Sequence, residues 1–292
     1  MAQPPLDGVI LITGASSGIG SELARQLASR AKALVLLARR TERLEQLAEE
    51  LRSAHSKLTV FVQSCDLLDR AATDAALERI QREVGPIDVL INNAGLGDIS
   101  MFDLSSWEKN QRMLDLNVTA LTYLTHRLVP GMVERGRGGV LQVSSGFGLN
   151  FMPGFATYVG TKHYVTGFTE CLRLEVASQG VVVSQLCPGP VRTEFEEVAA
   201  DFETPKLPEF ISISAEHCAK AAVAGFRRNK AIIIPGALMK ISSTMSALTP
   251  RFVLRLLYGP AAKRMRVMQK AALERASGPT KSQTPSKISA LN

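Results

Sequence analysis

The stretch VILITGASSGIG, residues 9–20, decides the fold. Its first half is apolar and β-branched, the pattern of a strand buried on both faces of a parallel sheet. Its second half carries Gly14, Gly18 and Gly20 and leads directly into SELARQLASR, where apolar residues recur at helical spacing. Glycines here allow a tight turn and let the backbone approach a phosphate closely, and the free amides at the helix start attract that anion. The spacing is G-x-x-x-G-x-G, not the G-x-G-x-x-G of the common dinucleotide fingerprint. Gly14, Ser16, Ser17, Gly18, Ile19 and Gly20 are therefore read as phosphate-binding from their place between strand and helix.

Outward from this turn, short apolar runs alternate with longer amphipathic ones. Candidate strands are 9–13, 33–38, 58–63, 88–92, 139–144, 181–186 and 231–235. Candidate helices are 18–30, 41–54, 69–84, about 107–135, 155–179 and 215–228. This repeated alternation predicts an α/β fold, a Rossmann-like doubly wound parallel sheet with right-handed crossovers. Residues 1–236 are expected to form one domain around the phosphate turn, 237–276 a basic amphipathic helical extension, and 277–292 a disordered end. In such sheets ligands sit at the carboxyl ends of the strands, at the switch in strand order.

Those ends carry further signals. Where NAD-binding folds place an acid for the ribose 2′-hydroxyl, this chain has Arg39 and Arg40. A carboxylate would repel a 2′-phosphate and a guanidinium can bind it bidentately, so NADP(H) is preferred over NAD(H). Asp66, with Leu67 beside it, follows the third strand and is placed for the adenine edge. Asn93, Ala94 and Gly95 end the fourth strand in a small-residue turn that can pass under the cofactor.

Charge is distributed unevenly. The chain has 34 basic and 27 acidic residues, but 10 of the basic and only Glu274 of the acidic lie beyond Gly236, leaving 24 against 26 before it. A near-neutral body argues against a nucleic-acid partner and directs attention to the extension. Cys65, Cys171, Cys187 and Cys218 form no C-x-x-C pair and no metal-ligand pattern. The opening MAQPPLDG lacks a basic and then apolar leader, so a reducing cytoplasm is the expected compartment.

TGASSGIG, NNAG, the N-V of LDLNVTA, VSSG, YVGTK and PGPVRT occur together in one order, and across residues 7–235 the chain resembles the short-chain dehydrogenase/reductase family. The resemblance implies an NAD(P)(H)-dependent oxidoreductase acting on alcohols and ketones, usually a homodimer or homotetramer. It further implies a catalytic tetrad of Asn117, Ser145, Tyr158 and Lys162, with Ser145 thirteen residues before Tyr158 and Ser144 its less suitable neighbour. Thr161 stands where the family often has Ser. Pro188, Gly189, Val191 and Thr193 would close over the nicotinamide, with Thr193 on the carboxamide or phosphate.

The chemistry explains why these residue types are needed. Hydride transfer to a ketone leaves charge on its oxygen, and Tyr158 would supply the proton. Lys162, one helical turn away, would lower the phenol pKa and hold the nicotinamide ribose. Ser145 would donate to the developing oxyanion, and Asn117 would hold a water linking Lys162 to solvent. Phe147, Phe151, Met152 and Phe155, with Phe202 and Phe210 in the long segment 194–214, favour a small lipophilic carbonyl or alcohol substrate, or serve only as core. No apolar run beyond residue 236 approaches the ~20 residues of a membrane span. The extension suits peripheral membrane contact, contact with a second subunit, or cover for the active site.

Overall fold

Seven parallel strands form one sheet in the computed structural model, which describes residues 2–195 and 211–277. They are β1 (Val9–Thr13), β2 (Ala33–Ala38), β3 (Thr59–Ser64), β4 (Val89–Asn92), β5 (Gly138–Val143), β6 (Val181–Leu186) and β9 (Ile232–Ile233). Their order is β3-β2-β1-β4-β5-β6-β9, so the winding reverses between β1 and β4. Short β7 (Val191–Arg192) and β8 (Ile213–Ser214) pair with each other beside it.

Apolar residues on both sides of each strand bury two faces. Ile10, Ile12, Leu34 and Leu36 pack with α1 (Gly18–Leu27), α2 (Thr41–Ala54) and α7 (Ala215–Arg227), through Leu23, Leu44 and Phe226 among others. Val9, Leu11, Val35 and Leu37 face the opposite way, toward α3 (Arg70–Glu83), α5 (Leu121–Glu134) and α6 (Ala156–Val176). At about 1.5–3 kcal/mol per fully buried aliphatic side chain, these two layers dominate the folding energy. They also hold the strand ends, which carry the site, in fixed register.

Two departures from the sequence expectation bear on the site. The pattern at 107–135 is not one helix: α4 (Trp107–Leu114) and α5 are joined by a π-helical turn over Asp115–Ala120. Such widened turns collect at functional sites because they displace one side chain from the regular helical face. Here that turn contains Asn117. The expected helix 155–179 ends its α-helical part at Val176 and closes through a tighter turn onto Gly180, whose φ of 75° suits glycine.

The extension forms two helices, α8 (Ala237–Leu248) and α9 (Arg251–Ser277), separated at Pro250. Among the described residues no helix is long and apolar enough to cross a membrane.

Candidate active site

The glycine turn is shaped by close packing. Gly14 and Gly18 have φ of +64° and +57°, which a side chain would strain, and a Cβ on Gly14 would sit 2.9 Å from the Cα of Ala94. Gly20 faces the carbonyl of Gly14 with no room for a side chain. The Asn93 amide donates to the carbonyls of Thr13 and Gly14 at 2.9 and 3.2 Å. Thr13 Oγ1 in turn accepts from the backbone amides of Asn93 and Ala94, both at 3.0 Å. The ends of β1 and β4 thus clamp each other where the strand order reverses. Ser17 precedes α1 without capping it, so the first amides of that helix stay available to an anion.

An anion grip lies beside this turn. Arg40 donates to Ser16 Oγ at 3.2 Å, to Ser17 Oγ at 2.6 Å and to the Glu194 carboxylate at 2.9 Å. Arg43 donates to the same carboxylate at 2.6 Å. The Arg40 hydrogen bond first, and then that of Arg43, holds the Glu194 carboxyl below its usual range. Of the two arginines expected here, Arg40 alone reaches the turn; Arg39 is exposed and its guanidinium makes no hydrogen bond with a described residue. Arg43 is a further member that the sequence reading missed. It sits one helical turn past Arg39 and three residues past Arg40, at the start of α2, and its spacing from Arg40 was the available signal. Two guanidiniums converging on one carboxylate, with the Ser16 and Ser17 hydroxyls fixing Arg40, fit a phosphate monoester.

Helix α6 presents Tyr158 and Lys162 one turn apart, 8% and 5% exposed. Lys162 Nζ lies 5.7 Å from the Tyr158 ring centroid and donates to the Val143 carbonyl at 2.9 Å. Ser145 follows β5 in extended backbone, and its Oγ accepts from the Phe147 amide at 3.1 Å. Its hydroxyl also faces the Tyr158 phenol and favours the ionised form. Ser144 is committed elsewhere, donating to the Lys162 carbonyl at 3.2 Å and pairing with Thr166 at 3.1 Å.

Asn117 is buried, but its amide is spent on the backbone. Its Oδ1 accepts from the Leu96 amide at 2.9 Å, and its Nδ2 donates to the Leu96 carbonyl at 2.8 Å and to Thr161 Oγ1 at 3.2 Å. The side chain ties the turn after β4 to α6. That turn forms the floor of the site: a Cβ on Gly95 would lie 3.3 Å from Asn117 Oδ1 and 3.6 Å from Lys162 Nζ.

Burial pushes the Tyr158 phenol up to about 12, with Ser145 opposing. Burial likewise brings Lys162 down to about 8. Both groups are desolvated together, which disfavours the charged form of each.

The remaining expected residues lie after β3, after β6 and in the first turn of α1. Asp66 is exposed beyond β3 and accepts from the Leu68 amide at 3.1 Å, with Leu67 partly buried against the core. The Pro188 carbonyl accepts from the Gly146 amide at 2.7 Å. Gly189 faces Met239 of α8, and Val191 begins β7. Thr193 lies over Gly18, with its Cγ2 3.1 Å from where a Cβ there would be. Ile19 packs against the core from the first turn of α1.

Aromatic rings surround the Tyr158 phenol. Phe147 meets Tyr158 edge-on with centroids 6.2 Å apart, Phe155 lies tilted against Phe147 at 4.8 Å, and Phe195 lies 5.8 Å from Tyr158. Phe151 turns instead to Tyr258 of α9 at 5.6 Å, and Met152 is exposed. Phe202 and Phe210 fall outside the described residues. A cleft beside Tyr158, lined by Asp98, Ser100, Phe102, Asn110 and Met113, shares its Asp98 and Ser100 wall with a second one under α9. Helix α9 is pinned there by Gln269, which accepts from the Met101 amide at 2.7 Å and donates to Ser100 Oγ at 2.6 Å. The sequence reading left open whether the extension covers the site; its inner face does border it.

Comparison with known proteins gives a consistent result. A model of the short chain dehydrogenase family matches residues 8–203. "Dehydrogenase/reductase SDR family member 7" of Homo sapiens is 37% identical over 194 residues, which cover 65% of this chain and 57% of that protein, so the match spans little more than half of the relative's length. A short-chain dehydrogenase from Sphingobium yanoikuyae in complex with NADPH superposes with a TM-score of 0.71 at 29% identity, covering 96% of this chain and 99% of the other. A bulky-bulky ketone specific alcohol dehydrogenase from Comamonas testosteroni reaches a TM-score of 0.69 at 28% identity, covering 94% and 96%.

Proposed function

This chain belongs to the short-chain dehydrogenase family, and on that premise we propose that it is a nicotinamide-dependent oxidoreductase. Its reaction interconverts a lipophilic ketone or aldehyde and the alcohol, with NADP(H) as cofactor and Tyr158 as general acid and base. One observation carries the reading: a phenol, a hydroxyl and an ammonium (Tyr158, Ser145 and Lys162) meet in a buried, aromatic-walled cleft next to a phosphate-shaped turn. The closely packed turn at Gly14, Gly18 and Gly20 presents its backbone to a dinucleotide, and Arg40 with Arg43 would hold its 2′-phosphate.

A bound nicotinamide supplies the hydride in reduction and accepts it in oxidation. Tyr158 keeps its proton at neutral pH, because burial holds the phenol up at about 12, and donates it to the carbonyl oxygen as charge builds there. Ser145 donates a second hydrogen bond to that oxygen, since its proton is not consumed by the bond its Oγ accepts from Phe147. Lys162 holds a positive charge below the phenol and contributes donors toward the cofactor sugar. Phe147, Phe155 and Phe195 exclude water and match an apolar substrate. The NADPH-bound and bulky-ketone neighbours support these two finer points.

A panel of ketones, aldehydes and alcohols, followed by NADPH absorbance, tests the reaction; no turnover on any bulky apolar member would refute it. Arg40→Asp tests the cofactor. Losing charge-assisted bonds worth about 1.5–3 kcal/mol should weaken NADPH by about 10- to 100-fold and NADH by little. Equal losses for both would overturn the NADP(H) preference.

Glu194 gives the opposite arm. Its carboxylate competes for the guanidiniums that a 2′-phosphate would use, but exposed ion pairs are weak. Glu194→Gln should therefore tighten NADPH only about two- to fivefold, with NADH unchanged. Both are read by fluorescence titration.

A further inference from the structure

We propose that the outer face of the C-terminal helix pair docks on an anionic lipid bilayer, beside the mouth of the Tyr158 cleft. The helices are held from within and bare without. Inside, Met239 meets Gly146 and Gly189, Tyr258 meets Phe151, and Arg266 grips Asp103 bidentately at 2.7 and 2.8 Å. Outside, the apolar stripe of α8 is inverted relative to a core helix. Leu238, Ile241, Met245 and Leu248, at helical spacing, are 49–81% exposed, while Ser243 is the residue buried.

Helix α9 continues the pattern with charge added. Phe252, Leu256, Lys263, Val267 and Lys270 are separated by four, seven, four and three residues, which places them along one side of the helix, and all five are exposed. Apolar side chains interleaved with lysines suit an interface where the chains enter the acyl boundary and the ammoniums reach headgroups. Neither helix can span a bilayer, so the fitting geometry is lying on it.

Charge selects the occupant. Lys240, Arg251, Arg255, Lys263, Arg264 and Lys270 are exposed, and Glu274 is the single acid of both helices. A second copy seated on this face by a two-fold axis would bring cations against cations. An anionic lipid surface brings the complementary sign and attracts roughly 1 kcal/mol per nearby Lys or Arg. The docking does not require the catalytic reading. If that reading also holds, an apolar substrate dissolved in the bilayer lies next to the cleft that α9 borders.

The test uses the full chain with phosphatidylcholine vesicles, with and without phosphatidylglycerol, in a flotation assay without cofactor or substrate. Failure of docking is thus distinguishable from failure of the proposed reaction. The expected result is flotation with the phosphatidylglycerol vesicles only, released by high salt. Ile241→Ser with Leu248→Ser, both at exposed positions, should reduce the bound fraction at least tenfold with an unchanged thermal melt. No flotation, or equal flotation of the variant, overturns the proposal. So does a concentration-dependent dimer, seen by light scattering, that the same double substitution abolishes while vesicles are ignored.

Discussion

Tyr158→Phe is expected to cut turnover by about 10²- to 10⁴-fold, the range for losing a positioned general acid, while cofactor affinity stays within about twofold. The substitution removes one oxygen and keeps the ring that packs against Phe147 and Phe195. Folding should therefore be unaffected, and a melt of the variant checks that. A pH profile separates the proton role from a packing role. Burial holds the phenol at about 12, so reduction, which needs the protonated form, should be flat through neutral pH. Oxidation needs the phenolate and should rise as the medium becomes alkaline. The variant should show neither feature. Ser145→Ala, which removes a donor to the same oxygen, should cost less, about 10²- to 10³-fold. The double variant should fall short of the product of the two, because the pair acts on one atom. A Tyr158→Phe enzyme keeping a tenth of wild-type turnover would sink the assignment.

The sheet was readable because both of its faces are buried. Apolar runs at 9–13, 33–38 and 181–186 coincide with β1, β2 and β6, since strands covered on both faces take Val, Ile and Leu at consecutive positions. The pairing of Tyr158 with Lys162 on one helix face was equally readable from their spacing. The π-turn at Asn117 was not, because its extra residue leaves no trace in a 3.6-residue pattern. Nor was the burial that raises the Tyr158 phenol, a property of packing and not of spacing. Glu194 on Arg40 and Arg43 lies 154 and 151 residues away along the chain, and no local signal joins them. The outward stripe of α8 shows the limit from the other side. Periodicity identified an apolar face, but only the fold says that it points to solvent.

Lys162→Met is expected to abolish activity and leave the fold as stable as before, or more so, at neutral pH. The two results follow from the same burial. Desolvation brings the ammonium to about 8 from an ordinary value near 10.5, so between those values the unfolded chain binds the proton and the native one releases it. Native stability therefore rises with pH across that window, and at pH 7 the native state bears the full cost of the buried charge. Against this, the Val143 carbonyl loses its partner at 2.9 Å, an offset of about 1–3 kcal/mol. Methionine fills the same apolar channel without the charge, so the sum lies near zero or favours the variant. The decisive measurement is the difference in unfolding free energy between wild type and variant at two pH values. From pH 7 to pH 9.5 the wild type should gain about 2 kcal/mol on Lys162→Met, the integral of that shifted titration. Above pH 10, where the unfolded tyrosine ionises and buried Tyr158 does not until about 12, both proteins should lose stability together. A wild type that gains nothing on the variant would mean that Lys162 is solvated in the native state, and its charge would then be free of the desolvation that Tyr158 shares.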